Sequence, residues 1–340
     1  MRKILLAGLL LMVTAFLLLP TGVLAGNEAS GTITMDFDLS GHGANEEAQL
    51  WVPYPFSDRD QVISNIRVMG DFAESAVYSD QKYSTPILYA RWDKGAVSRK
   101  LTLSFHVVRQ EVARRAFPEK EAAWDPADYK MYLAGTSLGP IDGQVKILAD
   151  HITQGKKTIL EKAKAIYDWT CENMYRDSNT VGCGPGDVCS LLARPGGKCT
   201  DIHSVFVALS RASGVPAREV FGVRLGKKPE QDISAWQHCW AEFYLPGYDW
   251  IPVDPADVRK MMLEQKLELG DAKTKEYRKY FWGGWDQYRV KLAVGRDLLL
   301  NPPQHGTALN TFGYPYAQIG STTLDWLDPA TFKYTFTYRK

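Results

Sequence analysis

The chain has 340 residues, with 40 Lys+Arg against 39 Asp+Glu, five cysteines and 12% aromatic side chains. A balance this near neutral offers no basic face to nucleic acid, and the length suffices for a large core in about two domains. The aromatic content suits a β-rich chain or a site for peptide or glycan, and does not decide between them.

The N-terminus reads as an export signal over residues 1–25. Arg2 and Lys3 precede an almost wholly apolar run from Ile4 to Leu19, then a Pro20-Thr21-Gly22 break and the small-residue stretch Val23-Leu24-Ala25. The alternative is a retained membrane anchor, since the run approaches spanning length. No cysteine ends the run, so lipid attachment there is not expected. No later segment is long and apolar enough to span a bilayer. The mature chain is therefore expected to be soluble and exported, periplasmic or extracellular, with no stable membrane span after signal removal.

Residues 27–115 alternate in the manner of strands. Gly31–Leu39, Ala48–Pro53 and Leu101–Val108 are apolar at every second position and are separated by turn residues. A β-sandwich fits this pattern best. Residues 116–150 form a connector rich in charge and aromatics. Helical patterning begins at Thr158, where Thr158-Ile159-Leu160-Glu161 is a capping box. Ile159, Ala163, Ile166, Tyr167 and Thr170 then trace one face. A Gly/Pro/Cys-rich loop covers 178–197. A second helix runs from Cys199 to Ala212, stopped by Ser213-Gly214 with Pro216 beyond.

Arg218–Leu225 reads as a strand, and two more strands flank Pro246-Gly247 as a hairpin. The tail (261–340) contains a helix over 259–280, a Gly-Gly-Trp break and short β runs ending in Phe332–Tyr338. The domain plan is thus a signal, a β-sandwich, a connector, a core over 151–260 and a C-terminal helix and β extension. Neither an internal repeat nor a low-complexity segment is present.

Cys199, His238 and Asp254 fall in order within this core. Ile202, Phe206 and Leu209 place Cys199 on the apolar, inward stripe at a helix start. Unpaired N–H groups and the dipole there lower a thiol's pKa and can hold an oxyanion. Gly196-Gly197 leaves room for a substrate backbone. A hairpin centred on Pro246 sets His238 directly opposite Asp254, close enough for a carboxylate to accept an imidazole N–H. A turn centred between Gly247 and Tyr248 would pair His238 with Asp257 instead. Asp254 is preferred because Pro255 should end the strand just after it. His203, one turn after Cys199, is the rival base and reads as a helix-face or supporting residue.

Cys171, Cys183, Cys189, Cys199 and Cys239 are odd in number, so one thiol stays free or pairs outside the chain. If Cys199 is that one, the other four can form two disulfides. Cys183 and Cys189 flank Gly-Pro-Gly-Asp-Val and could close a small ring, but the pairing stays open. A metal site from Cys183, Cys189, Cys199 and His203 has spacings unlike the usual zinc patterns, so no metal and no cofactor is expected. Gly135-Thr-Ser-Leu-Gly139 matches a serine-hydrolase elbow, but Pro140-Ile-Asp-Gly143 puts a turn where that motif needs a helix.

Four blocks carry a resemblance: Gly197-Lys-Cys-Thr-Asp-Ile-His203, Leu209–Arg218, Gln237-His-Cys-Trp-Ala-Glu-Phe243 and Trp250-Ile-Pro-Val-Asp-Pro255. In this order, over about 150–260, they resemble the transglutaminase-like core of bacterial exported proteins, which is similar in fold to papain-type thiol enzymes. The resemblance implies an α+β fold, with a papain-like cysteine core preceded by the β-sandwich. It also implies a Cys199 nucleophile, a His238 base and an Asp254 orienting group. Two departures stand out. Lys198 precedes the cysteine where many relatives have Asp, and Thr200 follows it where protein-crosslinking members have Trp.

Amide hydrolysis through a thioester is therefore expected ahead of amine transfer, on a peptide, protein or cell-wall peptide. The alternatives are a non-catalytic exported binding or scaffolding protein and a true crosslinking transglutaminase.

Overall fold

A computed structural model describes residues 27–340, so the expected signal (1–25) lies outside the described residues. Six longer strands come first: β1 (Glu28–Asp38), β2 (Ala48–Pro53), β3 (Gln61–Gly70), β4 (Glu74–Ser79), β5 (Pro86–Trp92) and β6 (Lys100–Gln110). After a short helical stretch over 126–133, four longer helices follow: α1 (Gly143–Ile152), α2 (Ile159–Asn173), α3 (Val188–Ala193) and α4 (Cys199–Ala212). Then come strands β7 (Ala217–Arg224), β8 (Glu230–Asp232), β9 (Gln237–Leu245) and β10 (Asp249–Val253), and helices α5 (Pro255–Gln265) and α6 (Ala272–Tyr280). Strands β11 (Arg289–Val294), β12 (Tyr316–Ile319) and β13 (Lys333–Arg339) close the chain.

The alternating segments form a sandwich because a strand buries every second side chain. Ile33, Met35 and Phe37 of β1 and Leu101, Leu103, Phe105 and Val107 of β6 face Leu50, Val52, Leu88 and Trp92 of the other sheet in one buried cluster. One sheet runs in the order β8, β13, β1, β6, β3. The other runs from Thr322–Thr323 through β12, β2 and β5 to β4. The strands after 261, which sequence alone sets apart as an extension, thus complete both N-terminal sheets. Pattern along a strand reveals its faces, not its neighbour.

The core is built on α4, whose 14 residues are all buried. A four-stranded antiparallel sheet in the order β10, β9, β7, β11 packs against it. Helix α2 starts at the expected capping box, with the Thr158 hydroxyl accepting from the Glu161 N–H at 3.2 Å. Gly214 (φ 78°) takes the left-handed conformation that ends α4, where the Val215 N–H reaches back to the Ser210 carbonyl at 2.9 Å. Helix α1 begins inside the stretch read as a connector.

The single helix expected over 259–280 is two helices. Lys266 (φ 55°) adopts the left-handed conformation and the Leu267 N–H bonds to the Met262 carbonyl, which terminates α5 before α6 begins. The elbow at Gly135–Gly139 is a tight turn in which Thr136 and Gly139 pair and Ser137 is held by Asp297. Strand–turn–helix geometry is absent there, and so is a serine nucleophile of that class. Among the described residues no helix is long and apolar enough to cross a membrane.

Candidate active site

The start of α4 is fixed from two sides by one buried carboxylate. Asp201 accepts the Lys198 N–H (2.9 Å) at the helix entrance and the Gly186 N–H (2.8 Å) from the preceding loop. The Cys183 carbonyl takes the Thr200 N–H at 2.9 Å. The Gly-rich loop is thereby laid across the helix terminus. A Cβ at Gly184 (φ 92°) or Gly197 would collide with the Asp201 carboxylate. Gly197 is therefore required by internal packing, and a Cβ at Gly196 would strike the Tyr175 ring. The room these glycines leave is filled by the protein and not by a substrate.

This brings three thiols together. The sulfurs of Cys183 in the loop, Cys199 at the start of α4 and Cys239 on β9 all lie within 4.8 Å of one another. All five cysteines are unpaired thiols; Cys189 is exposed on α3, away from Cys183, and the small ring is not formed. The hydrogen bonds from Cys199 and Cys239 hold the Cys183 thiol well below its ordinary pKa against the effect of burial, with Tyr314 adding a third donor. The Cys199 thiol is raised, first by its bond to Cys183 and further by burial, while His238 pulls it down. The helix terminus alone therefore does not make Cys199 the most acidic thiol of the trio. Cys171, buried on the inner face of α2, is pushed up to about 12 by burial.

Where sequence analysis sets Asp254 against His238, the structure sets Asp257. The hairpin turns about Gly247, pairing Leu245 with Asp249 and Ala241 with Val253. Its register never reaches His238, because β10 ends at Val253 and Asp254 (φ −146°, ψ 76°) is already the cap of α5. Asp254 accepts the Asp257 N–H at 2.6 Å, lies 3.2 Å from Nε2 of His203 and pairs with Arg289. One helical turn on, Asp257 swings back to the sheet, with Oδ1 3.3 Å from His238 Nε2. His203, fully buried, supports Asp254 and stands apart from the sulfurs' cleft.

His238 is oriented on every side. Its Nδ1 lies 2.7 Å from the Cys239 carbonyl and its ring stacks on Trp240 at 5.2 Å. Behind it, Asp254, Asp257 and Asp286 surround Arg289, and Arg224 reaches Asp257 and Asp286. Three carboxylates against two guanidiniums leave negative charge facing the two imidazoles. Burial raises the Asp257 carboxyl, but Arg224, Arg289 and His238 outweigh it and hold it well below the ordinary carboxylate range. Asp286 is held at about 2 by Arg289 and Arg224 against burial.

A cleft of about 430 Å³ opens over Cys199 and His238. Tyr314, Trp326, Phe332 and Tyr334 from the C-terminal segment form one wall, and Arg176 and Lys198 line the other. No carboxylate lines it among the described residues. Gln237, one residue before His238, has its Nε2 buried beside the cleft with no hydrogen-bond partner. The sequence singles out Cys183 only as a disulfide or metal candidate and does not single out Gln237. The adjacency of Gln237 to His238 is the only sign of it in the chain.

A cysteine at a helix start, a histidine on the neighbouring sheet and a carboxylate behind it define the papain-like thiol arrangement. Residues 146–255 match the Transglutaminase-like superfamily. The chain belongs to this superfamily. It is 37% identical over 324 residues to an uncharacterized protein of Haemophilus influenzae, covering 88% of each chain. A protein of Bacillus subtilis, YebA, is 28% identical over 126 residues, 33% of this chain and 17% of its own. The fold is similar to a crystal structure from Cytophaga hutchinsonii, proposed to be a cysteine protease. That likeness has a TM-score of 0.54 and 17% identity, and covers 92% of this chain and 98% of that one.

Proposed function

We propose that the protein is an exported thiol enzyme that cleaves amide bonds in peptides through a thioester on Cys199. One observation carries this reading: the inward thiol and the imidazole of His238 line one cleft, and a buried carboxylate stands behind the imidazole. His238 takes the proton of Cys199 as the sulfur attacks the amide carbon, and returns it to the leaving amine. Asp257 holds the imidazolium, and Asp254 supports that carboxylate by capping α5 and sharing Arg289. The Thr200 N–H is already taken by Cys183, so the N–H of Cys199 and Nε2 of Gln237 receive the oxyanion. Water then releases the acyl group. Thr200 in place of the crosslinkers' Trp favours hydrolysis over transfer to an amine.

Arg176 and Lys198, with no carboxylate opposing them in the cleft wall, favour a peptide bearing an acidic group near the scissile bond. The signal-like N-terminus supports export. The test is incubation of the reduced protein with acidic and neutral peptides and with cell-wall peptides, with and without an added primary amine, read by mass spectrometry. A Cys199-linked acyl adduct and hydrolysed product, both lost in Cys199→Ala, are expected. A protein that binds peptide but never acylates Cys199 would instead be a scaffold, and amine incorporation ahead of hydrolysis would make it a transferase.

A further inference from the structure

We propose that Cys183, Cys199 and Cys239 form a three-thiolate site for one soft divalent cation of the zinc class, and that filling it withdraws Cys199 from chemistry. The second half rests on Cys199 being the nucleophile; the site itself does not.

The ligands come from three separate elements, a loop, a helix start and a strand, so the spacing in sequence matches no ligand motif. Their sulfurs are nevertheless all within 4.8 Å of one another. A zinc-class ion bound at about 2.3 Å to each sulfur holds them roughly 4 Å apart, so each gap closes by no more than about 1 Å. Cys199 and Cys239 are only 3% and 1% exposed and sit on packed elements. Cys183 is the least buried of the three, so rotation of its side chain can supply the movement.

Two hydroxyls already address the sulfurs. Tyr314 donates to Cys183 Sγ at 3.2 Å, and the Thr200 hydroxyl lies 3.1 Å from Cys239 Sγ. Such outer partners fix the direction of a thiolate's lone pairs toward a metal. Thiolate sulfur selects soft cations and rejects magnesium and calcium. On binding, each sulfur that still carries its proton releases it to solvent, each thiolate forms one sulfur–metal bond, and no electron moves. Three thiolates and a dication leave one negative charge, and Arg176 and Lys198 lie along the same cleft to offset it. Cys183 and Cys199 both line that cleft.

The probe is cadmium chloride added to the reduced, metal-free full chain. One cadmium per chain should survive desalting, with the ultraviolet charge-transfer band of cadmium thiolate. Cys183→Ser and Cys239→Ser should each lose it, Cys189→Ser should keep it, and Tyr314→Phe should weaken binding about tenfold. Near-ultraviolet circular dichroism identifies any variant that fails to fold, and the wild-type titration stands without the variants. Bound cadmium should also block iodoacetamide at Cys199, with a chelator restoring the reaction. The proposal falls if the reduced wild type retains no cadmium, if binding survives both substitutions, or if the only product of the trio is a disulfide. Labelling of Cys199 without cadmium binding would overturn this site and leave the thiol-enzyme reading standing. Cadmium binding by a chain that never acylates would do the reverse.

Discussion

Asp257→Asn and Asp254→Asn separate the carboxylate that acts on His238 from the one that holds the frame. With Asp257 Oδ1 3.3 Å from the imidazole, the attraction for an imidazolium at an effective dielectric of about 20 is ~5 kcal/mol. Arg224 and Arg289 share the same carboxylate and draw part of that away. Loss of the charge should therefore slow acylation of Cys199 by about 10²- to 10⁴-fold, the range of a disabled acid–base pair. The fold should tolerate it, since Arg289 keeps Asp254 and Asp286, and Arg224 keeps Asp286.

Asp254→Asn should behave the other way. Asparagine caps a helix as well as aspartate does, so the cap survives. The buried Arg289 loses a partner at a cost of up to about 3 kcal/mol, the lower end for a broken buried pair because two carboxylates remain. Acylation should change less than about tenfold. The assay is the rate of thioester formation with an acyl probe, run beside a urea midpoint for each variant. Near-wild-type acylation by Asp257→Asn together with a dead Asp254→Asn would refute the assignment and restore the pairing read from the sequence.

Cys183→Ala should move the midpoint of Cys199 alkylation to lower pH, because Cys183 is the main cause of the raised Cys199 thiol; a midpoint at the same or higher pH counts against it. Gln237→Ala should cut acylation about 10²- to 10³-fold while leaving peptide binding, followed by fluorescence, unchanged, and an equal loss in both would make it a binding residue only. Burial raises the Glu242 carboxyl, but Arg218 and Lys291 hold it at about 2 against an ordinary 4.5. That lowered value gives stability that is present above about pH 4.5 and lost as pH falls through about 2, roughly 3 kcal/mol in all. Glu242→Gln should be less stable at neutral pH and should lose less on acidification, and parallel urea midpoints for the two proteins across that window would exclude the pair as the cause.

The features legible in the chain are local. The α4 stripe, its stop at Gly214, the Thr158 capping box and the alternation of β1 and β6 each depend on residues a few positions apart, and each forms as expected. Closure of the sandwich by β12 and β13 depends on partners more than 200 residues away, and no periodicity encodes it. The split of the tail helix turns on one residue, Lys266, whose left-handed backbone is unusual for a side chain of that kind.

The same boundary between local and distant explains the carboxylate. Hairpin arithmetic holds only while both arms remain strands, and Pro255 does lie just past the end of one. The element that the chain enters next decides which acid reaches the imidazole. Asp-Pro-Ala-Asp opens a helix, since proline fits its first turn and aspartate its cap. The fourth residue of that turn then lies above the cap, on the side facing β9. So Pro255, the residue that makes Asp254 look like the last strand position, starts the turn that carries Asp257 to His238. Asp254 is left beneath it as cap, as partner of His203 and as one arm of Arg289's cage. Neither acid is interchangeable with the other, because one meets the imidazole through its charge and the other sets where that charge stands.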